Sequence, residues 1–149
     1  MLGCDALHWD YAVGKKTDVP ELAIGKAVSC LMNSGGGWLL IGIDDDKNIL
    51  GLENDFQVIR KSNKDGFQLH FNGIIKKYIG IINRQFLKMY FEEKDGKLVS
   101  IVRIMQSPDP VYLKNQGKTI FYARFGNECQ PLDVDVAANY IAKHFKSSK

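Results

Sequence analysis

The segment Val19–Ile43 constrains this chain most: a helix face stops in a run of glycines and passes straight into an apolar strand. Ile24, Ala27, Val28, Leu31 and Met32 recur at the spacing of one helix face, which predicts a helix over residues 19–33. Asp18 is placed to cap it, Glu21 follows three residues later as in a capping box, and Pro20 falls in the first turn, where its missing N–H costs nothing. Asn33-Ser34-Gly35-Gly36-Gly37 then breaks the period, glycine supplying the left-handed backbone of a helix stop. Trp38–Ile43 is apolar and of strand length. With the acidic turn Asp44–Asn48 and a second short run, Ile49–Leu52, it predicts a β-hairpin.

Downstream, Phe67, Phe71, Ile74, Ile75 and Tyr78 again keep helical spacing, with Lys76 and Lys77 on the other face and Gly80 as the stop. Phe86–Glu93 and Leu98–Met105 are strand-like and joined through Asp95-Gly96, a strong hairpin signal. Val111–Leu113 and Thr119–Phe125 flank Lys114–Lys118 as a further hairpin. A last helix is expected over Val134–Phe145, capped by Asp133, with Val134, Ala137, Ala138, Ile141 and Phe145 turned inward. Residues 1–17 are the least readable: Trp9, Tyr11 and Val13 alternate like an edge strand, while Gly14-Lys15-Lys16 reads as a loop. Strands joined by tight turns, with about three helices around them, define an α+β fold with a mostly antiparallel sheet of hairpins. At 149 residues and 45% hydrophobic content, residues 1–149 are expected to form a single domain.

No apolar run approaches the ~18 residues that span a bilayer, so no membrane role is expected. Cys4, Cys30 and Cys129 are odd in number and widely spaced, which indicates no disulfide framework and no zinc knuckle; reduced thiols and a cytoplasmic location are the expectation. Cys129, alone beside Glu128, reads as a small, partly buried residue rather than a nucleophile.

The net charge of +3 is unevenly spread. Residues 1–60 hold 5 Lys/Arg against 9 Asp/Glu, residues 61–91 hold 6 against 1, and residues 92–149 hold 9 against 7. The six in the middle are Lys61, Lys64, Lys76, Lys77, Arg84 and Lys88, expected to form one positive face able to track a polyanion. The competing reading is a solvated surface that only confers solubility.

Phosphate and metal motifs are incomplete. Gly117-Lys118-Thr119 has the tail of a Walker A loop, but Tyr112 stands where its first glycine belongs and a strand follows. Gly35-Gly36-Gly37 follows a helix instead of preceding one; it reads as a helix stop, with a phosphate-contacting nest of backbone N–H groups as the alternative. Asp44 and Asp46 are the candidate ligands for Mg²⁺ or Mn²⁺ and the candidate catalytic carboxylates of a metal-dependent nuclease. Alternation sends them to one side and Asp45 to the other, so a solvated turn is the better reading. His8, His70 and His144 are scattered.

Ala27–Leu52, reading AVSCLMNSGGGWLLIGIDDDKNILGL, resembles the signature of the Schlafen/AlbA-type domain: a helix ending in an Asn-x-Gly-Gly stop, a Leu-Leu-Ile-Gly strand, an acidic turn, then Ile-x-Gly-Leu. Asp65-Gly66-Phe67 is similar to that family's next helix start, Pro110-Val111-Tyr112 to its proline-tyrosine strand, and Phe121–Asn127 to its Tyr-x-Arg-x-Gly-Asn segment. The resemblance runs from about Trp9 to about Phe145. It implies a domain that binds DNA or RNA, with Arg124 contacting phosphate or buttressing the glycine stop. It also implies a homodimer, because vertebrate relatives carry two such lobes in one chain. That vertebrate branch cleaves structured RNA with two glutamates and an aspartate. Only the aspartate has a counterpart here, in the Asp44–Asp46 turn; where the family usually shows a Glu-Phe-Lys strand this chain has Met1-Leu2-Gly3-Cys4-Asp5, a departure that speaks against a nuclease role. Cys129 stands where the family more often has threonine, and Lys47 where it often has glycine. The expected function is therefore nucleic-acid binding without catalysis, with a metal-dependent ribonuclease and a pure assembly domain as alternatives.

Overall fold

A computed structural model describes residues 19–44 and 46–145 in full and, before them, the backbone of three short strands. These are β1 (Leu2–Cys4), β2 (Trp9–Asp10) and β3 (Lys15–Lys16). Asp18, Tyr11, Val13, Gly14, His8 and Asp45 lie outside the described residues. Where Lys15-Lys16 reads as loop, the backbone pairs antiparallel with Trp9-Asp10, a ribbon held by main-chain bonds that no apolar pattern announces.

Helix α1 (Val19–Met32) leads through the glycines into β4 (Gly37–Ile41). A single bridge, Ile43 to Ile49, replaces the expected hairpin, and Ile49–Leu52 is no strand. The partners of β4 come from elsewhere: β1 in parallel and β6 (Lys97–Ile104) antiparallel, with β5 (Leu87–Lys94) beyond, in the order β1-β4-β6-β5. The β5–β6 turn has Asp95 and Gly96 both at positive φ, as its Asp-Gly requires. Between β4 and β5 run α2 (Glu53–Val58), which the sequence reading misses, α3 (Lys64–Tyr78) and a 3₁₀ turn at Ile81–Phe86. Asn63 caps α3 through Gly66 N–H at 2.8 Å, and Gly80, at φ +94°, follows its end.

The second sheet is β7 (Leu113–Asn115), β8 (Lys118–Phe125) and β9 (Glu128–Leu132), all antiparallel, followed by α4 (Val134–His144). The α+β class and the mainly antiparallel pairing agree with the sequence reading; among the described residues β1–β4 is the one parallel pair.

Helix α1 packs against β4 and β6 of the first sheet, α3, and β8 and β9 of the second. From Ala27 to Met32 it is therefore buried on all sides, Ser29 and Cys30 included, and not on the single face its periodicity suggests. Phe67, Phe71, Ile74 and Ile75 of α3 join Leu39, Ile41, Val102 and Ile104 in the main core. Phe121, Ala123 and Ala137 form a small second core under α4. Of the residues expected inward on α4, Val134 is 89% exposed and Ala138 is exposed as well. Asp133 holds the N-cap position without a side-chain hydrogen bond.

Cys30 and Cys129 form a disulfide, Cα atoms 5.9 Å apart across 99 residues. This overturns the expectation of free thiols: spacing along the chain says nothing about which strand packs on α1, and β9 brings Cys129 there.

One glycine sets a tight junction. A Cβ on Gly66 would sit 1.8 Å from Lys61 O, whereas one on Gly73, in the same helix, would meet nothing within 4 Å. Gly66→Ala should cost about 1–3 kcal/mol through forced displacement of the α2–α3 loop. Gly73→Ala should be neutral or stabilise by up to about 1 kcal/mol. Urea unfolding of the pair reads the contrast, and equal midpoints would contradict it.

Candidate nucleic-acid interface

The helix stop is built from backbone bonds. Gly36 N–H donates to Leu31 O at 2.7 Å, and a Cβ at Gly36 would lie 2.5 Å from Ile104 O, so the turn is pressed against the end of β6. Gly36 and Gly37 thus serve the passage from α1 into β4, and the Gly36 amide is already donated. Gly35, at φ +96°, faces open space.

Asn33, 1% exposed, ties this stop to the second sheet. Its Nδ2 donates to Val111 O (2.8 Å) and Tyr122 O (2.9 Å), and its Oδ1 accepts from Val111 N–H (2.8 Å). Because Val111 spends both backbone groups on Asn33, the strand expected from residue 111 begins only at Leu113. Tyr140 of α4 donates its hydroxyl to Asn33 O at 3.0 Å. Arg124 reaches the same place by its backbone, N–H to Ser34 Oγ at 2.8 Å, while its Nε donates to Gly126 O at 2.9 Å. It buttresses the stop through its main chain.

The six basic residues do not share one face. Lys61 is exposed in the loop before α3, Lys64 opens α3, and Lys76 and Lys77 lie exposed in its last turn, about 18 Å further along at 1.5 Å per residue. Lys64 Nζ lies 5.7 Å from the centroid of the Phe91 ring, and Lys77 Nζ lies 5.0 Å from that of Tyr78. Arg84 turns into the protein: Nε donates to Asn72 Oδ1 at 2.7 Å, Nη1 donates to Leu87 O, and the guanidinium lies over Phe71. Burial pushes its pKa down, although a guanidinium keeps its proton. Lys88 is on the other side of the molecule. It pairs with Arg103, and that row of the sheet points away from α3.

Asp44 is committed to its own turn. Its Oδ1 accepts from the N–H groups of Asp46 (3.0 Å) and Asn48 (2.8 Å), and its Oδ2 from Asn48 Nδ2 (3.1 Å). The Asn48 backbone bond, followed by the lesser ones, holds its carboxyl below the usual carboxylate range. Lys47 completes the turn at φ +66°, a conformation that favours glycine. Asp46 is exposed. Among the described residues, no three of His, Cys, Asp or Glu gather as a metal site would need.

The register exposes a surface that the sequence reading did not single out. Trp38, Arg103 and Lys88 lie side by side across β4, β6 and β5, followed by Leu40, Ile101 and Tyr90. All six lie on the face opposite the main core. Trp38 is 41% exposed and Tyr90 49%, and the Arg103 guanidinium lies 5.8 Å from the Trp38 ring centroid. Alternation in Trp38–Ile41 is a signal for the outward tryptophan; its pairing with Arg103, across 65 positions of chain, has no local signal.

The fold and this stop define a class: an α+β domain in which a central helix, locked by a buried asparagine, hands the chain through glycines into the middle of a sheet. The comparisons give the family. Schlafen, AlbA_2 matches residues 8–133, so the chain belongs to the Schlafen AlbA_2 family. No curated protein matches the sequence. Among solved structures, the DIP2311 protein of Corynebacterium diphtheriae is similar in fold, at 18% identity and a TM-score of 0.60, over 89% of this chain. The chain spans 21% of that protein's length. Among the described residues, no helix is long and apolar enough to cross a membrane.

Proposed function

We propose that this domain binds DNA or RNA through its phosphates and has no catalytic centre of its own. Membership of the Schlafen AlbA_2 family over residues 8–133 carries the reading. The exposed cations support it: Lys61, Lys64, Lys76 and Lys77 around α3, and Lys88 with Arg103 on the sheet. The Asp44 hydrogen bonds favour binding over Mg²⁺-dependent cleavage, since both carboxylate oxygens are engaged within the turn.

Fluorescence anisotropy with labelled single-stranded and hairpin probes should show affinity falling linearly on a log–log plot against salt, with a slope near −0.7 to −0.9 per phosphate neutralised. Binding that ignores salt, or no binding at about 50 mM salt, rejects the proposal. The homodimer is a separate proposal, read from sedimentation velocity at several concentrations.

A further inference from the structure

We propose that the solvent face of β4, β6 and β5 is a stacking platform for single-stranded nucleic acid, with Trp38 and Tyr90 taking bases and Arg103 and Lys88 holding adjacent phosphates. This rests on the nucleic-acid reading above and names its substrate form and surface.

The composition of the face is the first ground. Outward positions of a solvated strand are ordinarily polar, yet Trp38 and Tyr90 are exposed here, with Leu40 and Ile101 half-buried between them and Val99 buried in the row beyond. Strand spacing and rise place Trp38 and Tyr90 about 12 Å apart, on strands separated by β6. Aromatic rings held on a rigid sheet accept the faces of unpaired bases whatever their sequence. A duplex hides those faces.

Charge selects the occupant. Among the described residues of these strands, Arg103, Lys88, Lys94 and Lys97 are on this side with one carboxylate, Glu92. A second copy docking face to face would bring these cations against their equivalents, whereas a polyanion meets them with phosphates. Arg103, its guanidinium 5.8 Å from the Trp38 ring centroid, places a forked set of N–H donors beside the indole, the donor pattern that suits phosphate oxygens.

Titration of the protein with about 12-nucleotide oligo(U) and oligo(dT), and with a hairpin duplex of the same length, tests this by anisotropy and tryptophan quenching. Trp38→Ala and Tyr90→Ala should each weaken single-strand binding roughly 10-fold, with the hairpin changed by less than about 2-fold. Trp38→Phe should recover most of the loss. Both positions are well exposed, and unchanged thermal midpoints would confirm that the variants fold. Lys76→Glu/Lys77→Glu, on the far side, should weaken the hairpin more than the single strand.

Full single-strand affinity in Trp38→Ala and Tyr90→Ala overturns the platform and leaves salt-dependent binding by the domain intact. A salt-independent wild type overturns both readings. Loss of a concentration-dependent dimer in Trp38→Ala, with nucleic-acid affinity unchanged, assigns the face to a second copy and overturns the platform.

Discussion

Reduction of the Cys30–Cys129 bond is expected to lower the thermal midpoint by roughly 6–15 °C. The bridge closes a separation of 99 residues. A loop of that length is worth about 4.7 kcal/mol in the chain-entropy treatment, and bridges removed from real proteins cost about 2–5 kcal/mol. In a domain of this size each kcal/mol moves the midpoint by about 3 °C. Cys30 is fully buried in α1, so a reduced thiol there remains a small apolar side chain and the main core survives. What loosens is the hold of α1 on β9, the edge strand against which α4 rests. Thermal unfolding with and without TCEP reads the shift. Cys129→Ser should reproduce the reduced midpoint and lose its response to TCEP, while Cys4→Ser should keep both midpoints. Identical wild-type midpoints under the two conditions would dismiss the contribution. Amide exchange should quicken first in residues 128–144 if the loosening is local.

The parts legible in the sequence are those whose causes are local. Asp95-Gly96 and Gln116-Gly117 demand positive φ at successive positions, and each pair closes a hairpin. Phe67, Phe71, Ile74 and Tyr78 write the period of α3 directly. Helix α2 is only six residues long, too short to show a period, and β9 reads Glu-Cys-Gln-Pro-Leu, with a proline tolerated because it is an edge strand. Most of what is not legible is non-local. Trp38 meets Arg103, and Cys30 meets Cys129, because the sheets fold onto α1. The basic segment has the same cause: adjacency in sequence joins Lys77 and Lys88, while the chain between them turns from a helix on one side of the sheet to a strand facing the other. Sequence counts the charges; register decides where they lie.

Asn33 yields the second large expected effect, and its chemistry separates a hydrogen-bonding role from mere packing. Asn33→Leu keeps much of the volume but leaves Val111 N–H, Val111 O and Tyr122 O without their buried partner. At about 1–3 kcal/mol for each unsatisfied group, with partial relief by relaxation, the loss should be about 3–5 kcal/mol in urea unfolding. Asn33→Asp retains the acceptor for Val111 N–H and replaces the donor amide with an oxygen facing two carbonyls. Burial beside those carbonyls disfavours the charged form and raises its pKa, so protonation stabilises the folded state. The sign follows: Asn33→Asp should be at its worst near pH 8 and recover as pH falls through the raised folded value, regaining one donor, while Asn33→Leu should show no such recovery. Tyr140→Phe removes only the bond to Asn33 O and should cost about 0.5–1.5 kcal/mol. A loss below about 1 kcal/mol in Asn33→Leu, or parallel pH profiles for the leucine and aspartate variants, would show that the asparagine only fills space. The clamp joins the end of α1 to both the Val111 segment and β8, so its failure should also slacken the glycine turn that carries Trp38 into the sheet. Weaker single-strand binding by Asn33→Leu, at temperatures where it is still folded, would connect this buried amide to the outward face of β4.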